Sequence, residues 1–291
     1  MLSGKVSRRD SAKRLIVTSF QIFAPHLYRE RTVMLDVEIL DYAEVEKAEA
    51  IFHRDGVVVI ENALTSQQLE FAQTGAAREV GLQMAALPLK EGNRGYARYS
   101  FEQHRIHLPE WSQLIDLPTV LPILDRIWGS SGYLCIGAGG DYSAPGAKIQ
   151  PLHSDVGDFL RDPLKQTTVR DLPAPYIAVN FLMVDFKKIN GAIRFIPSTQ
   201  RSHASIPSLT EEPAWMRRSI LCASAGSVII RDVRCWHGGT ANRSQEVRPM
   251  LDVVYVAPWF RQAQLKPFLP KLVYKTFSPR AKELCREIVT R

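Results

Sequence analysis

Short β-type runs separated by turn residues dominate the second half of the chain, and they constrain its fold more than any other feature. The runs cover residues 133–137, 147–153, 176–184, 192–196, 227–232 and 250–257. Many short strands that follow early helices predict a mainly β protein with flanking helices, either an antiparallel sandwich or a barrel. No apolar stretch approaches the roughly 20 residues that cross a bilayer, so we expect no membrane span.

The first half of the chain predicts helices around one strand. Thr65 followed by Gln68 has the form of a capping box before an amphipathic helix. The polar stretch 88–112 is predicted to be a long loop. The other predicted elements are an acidic amphipathic stretch at 44–52, a strand at 57–60, a helix at 118–128 and a last helix that begins at Ser278-Pro279.

The charge of the chain lies mainly at its two ends. Residues 1–31 carry +5 and residues 261–291 carry +6, which leaves −4 for residues 32–260 out of a total of +7. A nucleic-acid-binding protein more often places its basic residues on the folded body, so we expect no nucleic-acid partner. Residues 1–43 lack a clear pattern and are interpreted as an N-terminal extension, and residues 44–291 as a single domain with a basic helical C-terminal region.

The cysteines indicate a reducing compartment. Cys135, Cys222, Cys235 and Cys285 contain no CxxC pair, which disfavours a structural zinc site. Four cysteines in 291 residues do not form a disulfide scaffold either. We therefore expect a cytoplasmic protein. The sequence leaves the oligomeric state open, with a homodimer among the alternatives.

The triplet His153-Ser154-Asp155 is the sharpest candidate for chemistry. Residues two apart on a strand point to the same face, so His153 and Asp155 can converge on one point. His237, just after the run 227–232, can supply a third ligand. Two histidines and one carboxylate form the facial triad that suits non-haem Fe(II) and leaves three positions open. A chelating co-substrate and dioxygen would occupy those positions.

Arg248 is a candidate for binding a dicarboxylic co-substrate. It stands at the head of the run 250–257, and its planar guanidinium can bind a carboxylate through two parallel hydrogen bonds. Arg243 competes for this role, but its neighbours Asn242 and Ser244 indicate a turn that points to solvent.

Each of these residues also has a simpler interpretation. An HxD triplet is frequent by chance, His237 beside Trp236 is compatible with a buried histidine, and Arg248 with a surface charge. Phe159, Phe181 and Trp236 are expected either to line a pocket or, more commonly for aromatics on strands, to fill the core. The combination of the triplet, the distant histidine and the arginine favours the iron site.

Three segments of the sequence resemble the phytanoyl-CoA dioxygenase-like family of Fe(II)/2-oxoglutarate-dependent oxygenases, from about residue 44 to about residue 259. The opening segment is His53-Arg54-Asp55-Gly56-Val57-Val58-Val59. The second is Asn190-Gly191-Ala192-Ile193-Arg194-Phe195-Ile196-Pro197, which continues to His203. The third combines His237, Asn242-Arg243-Ser244 and Arg248-Pro249. Ser198-Thr199-Gln200 departs from the family pattern, which has Gly-Ser there.

The resemblance implies a double-stranded β-helix, a cupin-like jelly roll, with Fe(II) as cofactor, 2-oxoglutarate as co-substrate and dioxygen as oxidant. It makes His153, Asp155 and His237 the iron ligands and Arg248 the partner of the distal carboxylate of 2-oxoglutarate. Gln150 matches a position that contacts 2-oxoglutarate in some fungal members. Related halogenases carry a small residue at the carboxylate position, so Asp155 favours hydroxylation or another oxidation over chlorination.

The expected reaction is oxidation of a C–H bond, most simply hydroxylation, with release of succinate and carbon dioxide. We expect a small organic substrate, such as a secondary metabolite. The alternative is an acyl-CoA or other lipid-derived thioester that contacts the C-terminal basic residues. Two further alternatives are a zinc-dependent hydrolase that uses the same triad and a catalytically silent binding module on a jelly roll. Substrate, regiochemistry and the choice among hydroxylation, desaturation, epoxidation and rearrangement stay open.

Overall fold

Two antiparallel β-layers form the centre of the protein in the computed structural model, which describes residues 38–261 and 265–291. The strands are β1 (Ile39–Asp41), β2 (Val57–Glu61), β3 (Arg98–Ser100), β4 (Leu134–Ser143), β5 (Tyr176–Leu182), β6 (Ile193–Ile196), β7 (Val228–Asp232), β8 (Trp236–Gly239) and β9 (Arg248–Val256). The large sheet has the order β1-β2-β7-β5-β9-β4-β3, and β6 pairs with β8 in the second. Only the β1–β2 pairing in these sheets is parallel.

Helices flank the sheets, and most of them cover one face of the large sheet. They are α1 (Val45–Asp55), α2 (Ser66–Ala86), α3 (Pro109–Ser112), α4 (Leu121–Trp128), α5 (Ala214–Arg218), α6 (Lys271–Thr276) and α7 (Pro279–Cys285). Buried side chains of α1, α2, α3, α4 and α7 pack against the sheet in the larger apolar core. Thr65 caps α2 through the predicted capping box with Gln68.

The other face of the large sheet encloses the space where the candidate site lies. Along β9, Leu251 and Val253 join the core under the helices, whereas Arg248, Asp252 and Val254 lie on the opposite face. The β6–β8 sheet covers this second face. Apolar side chains, among them those of β2 and β6, fill one part of the space between the sheets. A polar cavity occupies the other part.

This architecture is the jelly roll with flanking helices that was predicted. Strands occur within or around five of the six predicted runs. The run 147–153 was predicted wrongly: it contributes only an isolated antiparallel bridge between His153 and His237. Pro151 has no N–H group to donate, so this segment cannot form a regular ladder. It still follows β8, because Gln150 donates its backbone N–H to the Gly239 carbonyl at 2.9 Å.

The stretch 88–112 is mainly the long loop that was predicted, but it also contains the short elements β3 and α3. After β3 the chain crosses β4 on the cavity side, and Ala138 donates its backbone N–H to the Gln103 carbonyl at 3.0 Å. A side chain at Gly139 would overlap the Glu102 carbonyl oxygen. The crossing therefore depends on the absence of a side chain at Gly139 in β4. The polarity of residues 88–112 does not predict this close approach.

Residues 198–200, where the sequence departs from the family pattern, form hydrogen bonds with the end of α1. Ser198 donates its backbone N–H to the Asp55 carbonyl at 2.9 Å, and Gln200 Nε2 donates to the His53 carbonyl at 3.1 Å. Ser198 adopts a left-handed φ of 62°, which ordinarily favours glycine. These contacts connect the opening and middle segments of the family pattern.

The large sheet begins at Ile39, ahead of the predicted boundary at residue 44, because β1 pairs with β2. Most of the predicted N-terminal extension, residues 1–37, lies outside the described residues. Across the described ranges, no helix is both long and apolar enough to cross a membrane.

We predict that Gly139→Ala destabilises the protein by about 3 kcal/mol, because the added methyl group would displace the backbone at Glu102. Gly81→Ala is the matched control, since a methyl group at this exposed position in α2 meets no atom within 4 Å. It should stabilise the helix by about 0.5–1 kcal/mol. Urea unfolding of both variants measures the difference. Equal effects of the two substitutions would contradict the proposed close approach.

Candidate metal and co-substrate site

The three predicted metal ligands lie together. His237 is on β8, His153 forms the bridge beside it, and Asp155 donates its backbone N–H to the Val233 carbonyl at 3.0 Å. Asp155 Oδ1 lies 3.4 Å from His237 Nε2 and 3.7 Å from His153 Nε2. One ligand atom from each of the three side chains lies within 4.8 Å of the other two.

Hydrogen bonds orient both imidazole rings toward this point. His153 Nδ1 lies 3.1 Å from the Pro151 carbonyl, and His237 Nδ1 lies 2.9 Å from the Cys235 carbonyl. A carbonyl oxygen can only accept, so each Nδ1 carries the hydrogen, and in the neutral form of the ring Nε2 is the atom with the lone pair. Metal-binding histidines in proteins are commonly oriented in this way.

The protonation states also favour cation binding. Burial, followed by the proximity of His237, lowers the pKa of His153, so its ring is neutral at physiological pH. Burial raises the pKa of Asp155, but the Arg231 guanidinium and His237 hold it well below its usual range. Neutral imidazoles and an ionised carboxylate are the forms that bind a metal.

Arg248 lines the same cavity, and the charge of its guanidinium is only partly paired. Its side chain is 1% exposed, and Nε and Nη1 have no hydrogen-bond partner. Asp141 Oδ1 is 3.6 Å from Nη1, and the guanidinium carbon stacks 4.8 Å from the centre of the Phe186 ring. A buried guanidinium with unpartnered nitrogens is suited to a carboxylate ligand. Arg243, its competitor in the sequence, is exposed.

Arg98, which the sequence did not single out, lies beside Arg248. Its Nη2 donates to the Lys148 carbonyl at 2.7 Å and to the Thr240 carbonyl at 2.5 Å. Burial, and then the charge of Arg248, lower the pKa of Arg98 to about 10, so it remains charged at neutral pH. Two arginines and Asp141 leave net positive charge at this end. Arg98 was missed because it belongs to β3, in the segment predicted as loop.

Gln150 lines the same cavity. Its Oε1 accepts the backbone N–H of Gly239 at 3.0 Å, which fixes the amide between the histidine site and the arginines. A side chain at Gly239 would contact both Gln150 and Arg98. The absence of a side chain at Gly239 therefore lets these two groups approach β8.

The candidate residues line one cavity of about 310 Å³. The exposed fraction of their side chains rises along it, from 1% at Arg248 to 8% at His237, 28% at Asp155 and 40% at His153. The arginines therefore form a closed end and the histidines face the opening. Further lining residues include Ser100, Gln103, Tyr176, Arg231, Asp252 and Val254.

The predicted pocket aromatics do not line the cavity. Phe181 belongs to the core under the helices, and Trp236 packs with Leu152 and Ile196. Phe159 is 40% exposed and contacts Tyr176, which does line the cavity, with ring centres 6.4 Å apart. The core alternative therefore holds for the first two residues.

Arg231 and Asp252 were also missed by sequence reasoning. Each is a buried charged residue flanked by apolar residues in its strand, and a buried charge of this kind often marks a functional site. Asp252 Oδ1 accepts the Gly139 backbone N–H at 3.0 Å and Gln103 Nε2 at 3.1 Å. The charge within each strand is the sequence signal that distinguishes these two residues.

The donor set fits an octahedral cation with open positions. It consists of two imidazole nitrogens and one carboxylate oxygen, the combination that suits non-haem Fe(II). The unpartnered nitrogens of Arg248 fit an anionic group at the closed end. The cavity thus accommodates a metal and a carboxylate side by side.

Sequence comparison identifies similar proteins. The family model described as phytanoyl-CoA dioxygenase (PhyH) matches residues 52–250. Dioxygenase af480 of Aspergillus fumigatus is 28% identical over 258 residues, which cover 82% of this chain and 76% of that protein. Dioxygenase trt7 of Aspergillus terreus is 26% identical over 143 residues, which cover 48% of this chain and 46% of that protein.

Solved structures share the fold at low sequence identity. The α-ketoglutarate-dependent epimerase SnoN from nogalamycin biosynthesis has a TM-score of 0.56 at 16% identity, covering 75% of this chain and 82% of its own. EctD from S. alaskensis, with 2-oxoglutarate and 5-hydroxyectoine, has a TM-score of 0.55 at 18% identity, covering 79% and 85%. HygX from Streptomyces hygroscopicus, with nickel, 2-oxoglutarate and hygromycin B, has a TM-score of 0.54 at 14% identity, covering 75% and 93%.

Asp252 generates a prediction about stability and pH. Burial raises its pKa to about 6, above the value of about 3.9 in an unfolded chain. The folded state therefore binds this proton more tightly, and the free energy of unfolding falls as the pH rises from about 4 to about 6. Asp252→Asn should stabilise the protein by roughly 2–3 kcal/mol at pH 8, where the cost of the buried charge is fully present.

Urea unfolding at pH 8 and pH 4 measures this effect, and the gain should largely vanish at the lower pH. Asparagine keeps the acceptor for the Gly139 N–H group, so the comparison isolates the charge. An equal gain at both pH values, or a loss at pH 8, would contradict the prediction.

Proposed function

The chain belongs to the phytanoyl-CoA dioxygenase family and is an Fe(II)/2-oxoglutarate-dependent dioxygenase, and from this premise we propose which residues carry the reaction. His153, Asp155 and His237 bind the iron, and Arg248 binds the distal carboxylate of 2-oxoglutarate. The observation that supports this most directly is the convergence of Asp155 Oδ1 with two histidine Nε2 atoms, 3.4 and 3.7 Å away. The hydrolase and binding-module alternatives are set aside with the family assignment.

Bound iron and 2-oxoglutarate together supply oxidising power from dioxygen, with succinate and carbon dioxide as products of the co-substrate. The protein's own residues place and hold these groups. The carbonyls of Pro151 and Cys235 hold the histidine rings in the tautomer that binds metal. Arg248 and Arg98 supply the positive charge that a dicarboxylate requires at the closed end of the cavity.

Gln150 is proposed to contact 2-oxoglutarate between its two ends. Its Oε1 is already bonded to the Gly239 N–H, which leaves the amide nitrogen as the group for donating to a co-substrate oxygen. Gln150 is bonded to Gly239 at the end of β8, and Arg98 to the carbonyl of Thr240, the next residue, so they should act together.

The exposure gradient supports a proposed order of binding. The buried Arg248 end admits the co-substrate first, and the substrate then enters from the side of His153, whose side chain is 40% exposed. A substrate placed there lies next to the metal and shields it from water. Asp252 and Gln103 on the cavity wall offer polar contacts to a substrate hydroxyl group.

A small organic molecule is the substrate that we favour, with hydroxylation of a C–H bond as the simplest outcome. The cavity of about 310 Å³ suits a compact ligand beside the co-substrate. The solved structures of HygX and EctD contain small molecules, namely hygromycin B and 5-hydroxyectoine. An acyl-CoA substrate would instead need a phosphate-binding surface outside this cavity.

We also propose that residues 44–291, together with β1, act as one catalytic domain. The family match at residues 52–250 lies within it. The C-terminal helix α7 packs its Leu284 and Cys285 into the core shared with the large sheet, which supports a structural role for this region.

Anaerobic titration tests the assignment. Fe(II) followed by 2-oxoglutarate should give the wild-type protein the weak visible charge-transfer band of a chelated 2-oxo acid. Asp155→Ala should lose the band because a ligand is removed. Arg248→Ala should need on the order of 100-fold more 2-oxoglutarate, since losing one partner of a buried charge pair costs about 2–5 kcal/mol.

Arg243→Ala is the matched control for Arg248→Ala, because it removes an exposed arginine five positions earlier in the sequence. Its titration curve should match that of the wild type. Absence of the band in folded, metal-loaded wild-type protein would refute the assignment.

A further inference from the structure

The two oxygens of Asp155 have different partners. Oδ1 faces the Nε2 atoms of His153 and His237, as described above. Oδ2 accepts a charge-assisted hydrogen bond from Arg231 Nη1 at 2.6 Å. The carboxylate is therefore held with one oxygen toward the metal position and the other toward a guanidinium.

Arg231 is itself held in one orientation. Its side chain is 9% exposed, and its Nε donates to Asn180 Oδ1 at 2.9 Å. Asn180 lies on β5, which pairs with β7, and is fully buried. Two hydrogen bonds thus fix the guanidinium between the neighbouring strand and the carboxylate.

Packing alone does not require a charge at this position. Along β7, Ile229 lies on the same face as Arg231 and belongs to the apolar cluster between the sheets. An apolar side chain would therefore extend that cluster. A buried guanidinium is costly unless it is paired, and the anion within hydrogen-bond reach of Arg231 is the Asp155 carboxylate.

A carboxylate can bind a metal through one oxygen or through both. Binding through both would fill one of the three positions that 2-oxoglutarate and dioxygen require. We propose that Arg231 is a positioning residue that restricts Asp155 to one metal bond and so keeps the site open for chelation by 2-oxoglutarate. This inference rests on the proposed function, because it assumes that Asp155 binds the iron.

Replacement of Arg231 should change the coordination of the metal. In the wild type, Mn(II) as a probe metal should hold three water molecules beside its three protein ligands. In Arg231→Met the freed Oδ2 should displace one, leaving two. Electron–nuclear double resonance of the Mn(II) protein in H₂O and D₂O counts these waters.

The same variant should bind 2-oxoglutarate more weakly. We expect the concentration for half of the charge-transfer band with Fe(II) to rise about 10- to 100-fold, the usual effect of losing a group that orients a metal ligand. Arg231→Lys keeps a charged donor and should recover part of the affinity and the third water.

Arg234→Met is the matched control. Arg234 is also buried and its Nη2 is paired with Asp232 Oδ2 at 2.6 Å, but it contacts none of the three ligand side chains. In protein that melts cooperatively, this variant should hold three waters and bind 2-oxoglutarate as the wild type does. A variant Arg231→Met with three waters and unchanged 2-oxoglutarate binding would overturn the inference. A wild-type protein that shows no charge-transfer band would instead overturn the proposed function.

Discussion

Reciprocal backbone hydrogen bonds between His153 and His237 hold the site together. His153 donates its N–H to the His237 carbonyl at 2.9 Å, and His237 donates to the His153 carbonyl at 3.0 Å. The pair brings two residues that are far apart in sequence into register and places their rings 4.4 Å apart. Asp155 follows two residues later, so the same pairing also delivers the carboxylate. If the segment that contains His153 shifted by one residue along β8, the side chains of His153 and Asp155 would turn away from the cavity.

The cavity concentrates charge that the fold would otherwise avoid. Arg98, Arg231, Arg248 and Asp252 are all buried on the inner face of the large sheet. Only part of this charge is paired within the protein, as the unpartnered nitrogens of Arg248 show. Unpaired buried charge lowers stability. A bound metal and dicarboxylate would supply the missing partners, so the protein should be more stable when both are bound.

Much of the fold and part of the site could be predicted from the sequence. Short β-type runs bounded by turn residues predicted most strands, and Thr65 with Gln68 predicted the start of α2. The convergence of His153, Asp155 and His237 followed from residue type and spacing.

The path of residues 88–112 could not be predicted, because it depends on close approach to Gly139 rather than on apolar periodicity. Arg98 was not predicted for the same reason, because it lies on β3 within this stretch. The role of Arg231 could not be predicted either, because it depends on the hydrogen bond to Asp155, which only the structure shows.

Anomalous X-ray diffraction tests the central claim most directly. Crystals grown without oxygen and soaked with Fe(II) and 2-oxoglutarate would be measured on both sides of the iron absorption edge. We predict one strong peak within bonding distance of His153 Nε2, His237 Nε2 and Asp155 Oδ1, with the distal carboxylate of 2-oxoglutarate on Arg248. A peak elsewhere, or 2-oxoglutarate bound away from Arg248, would contradict it.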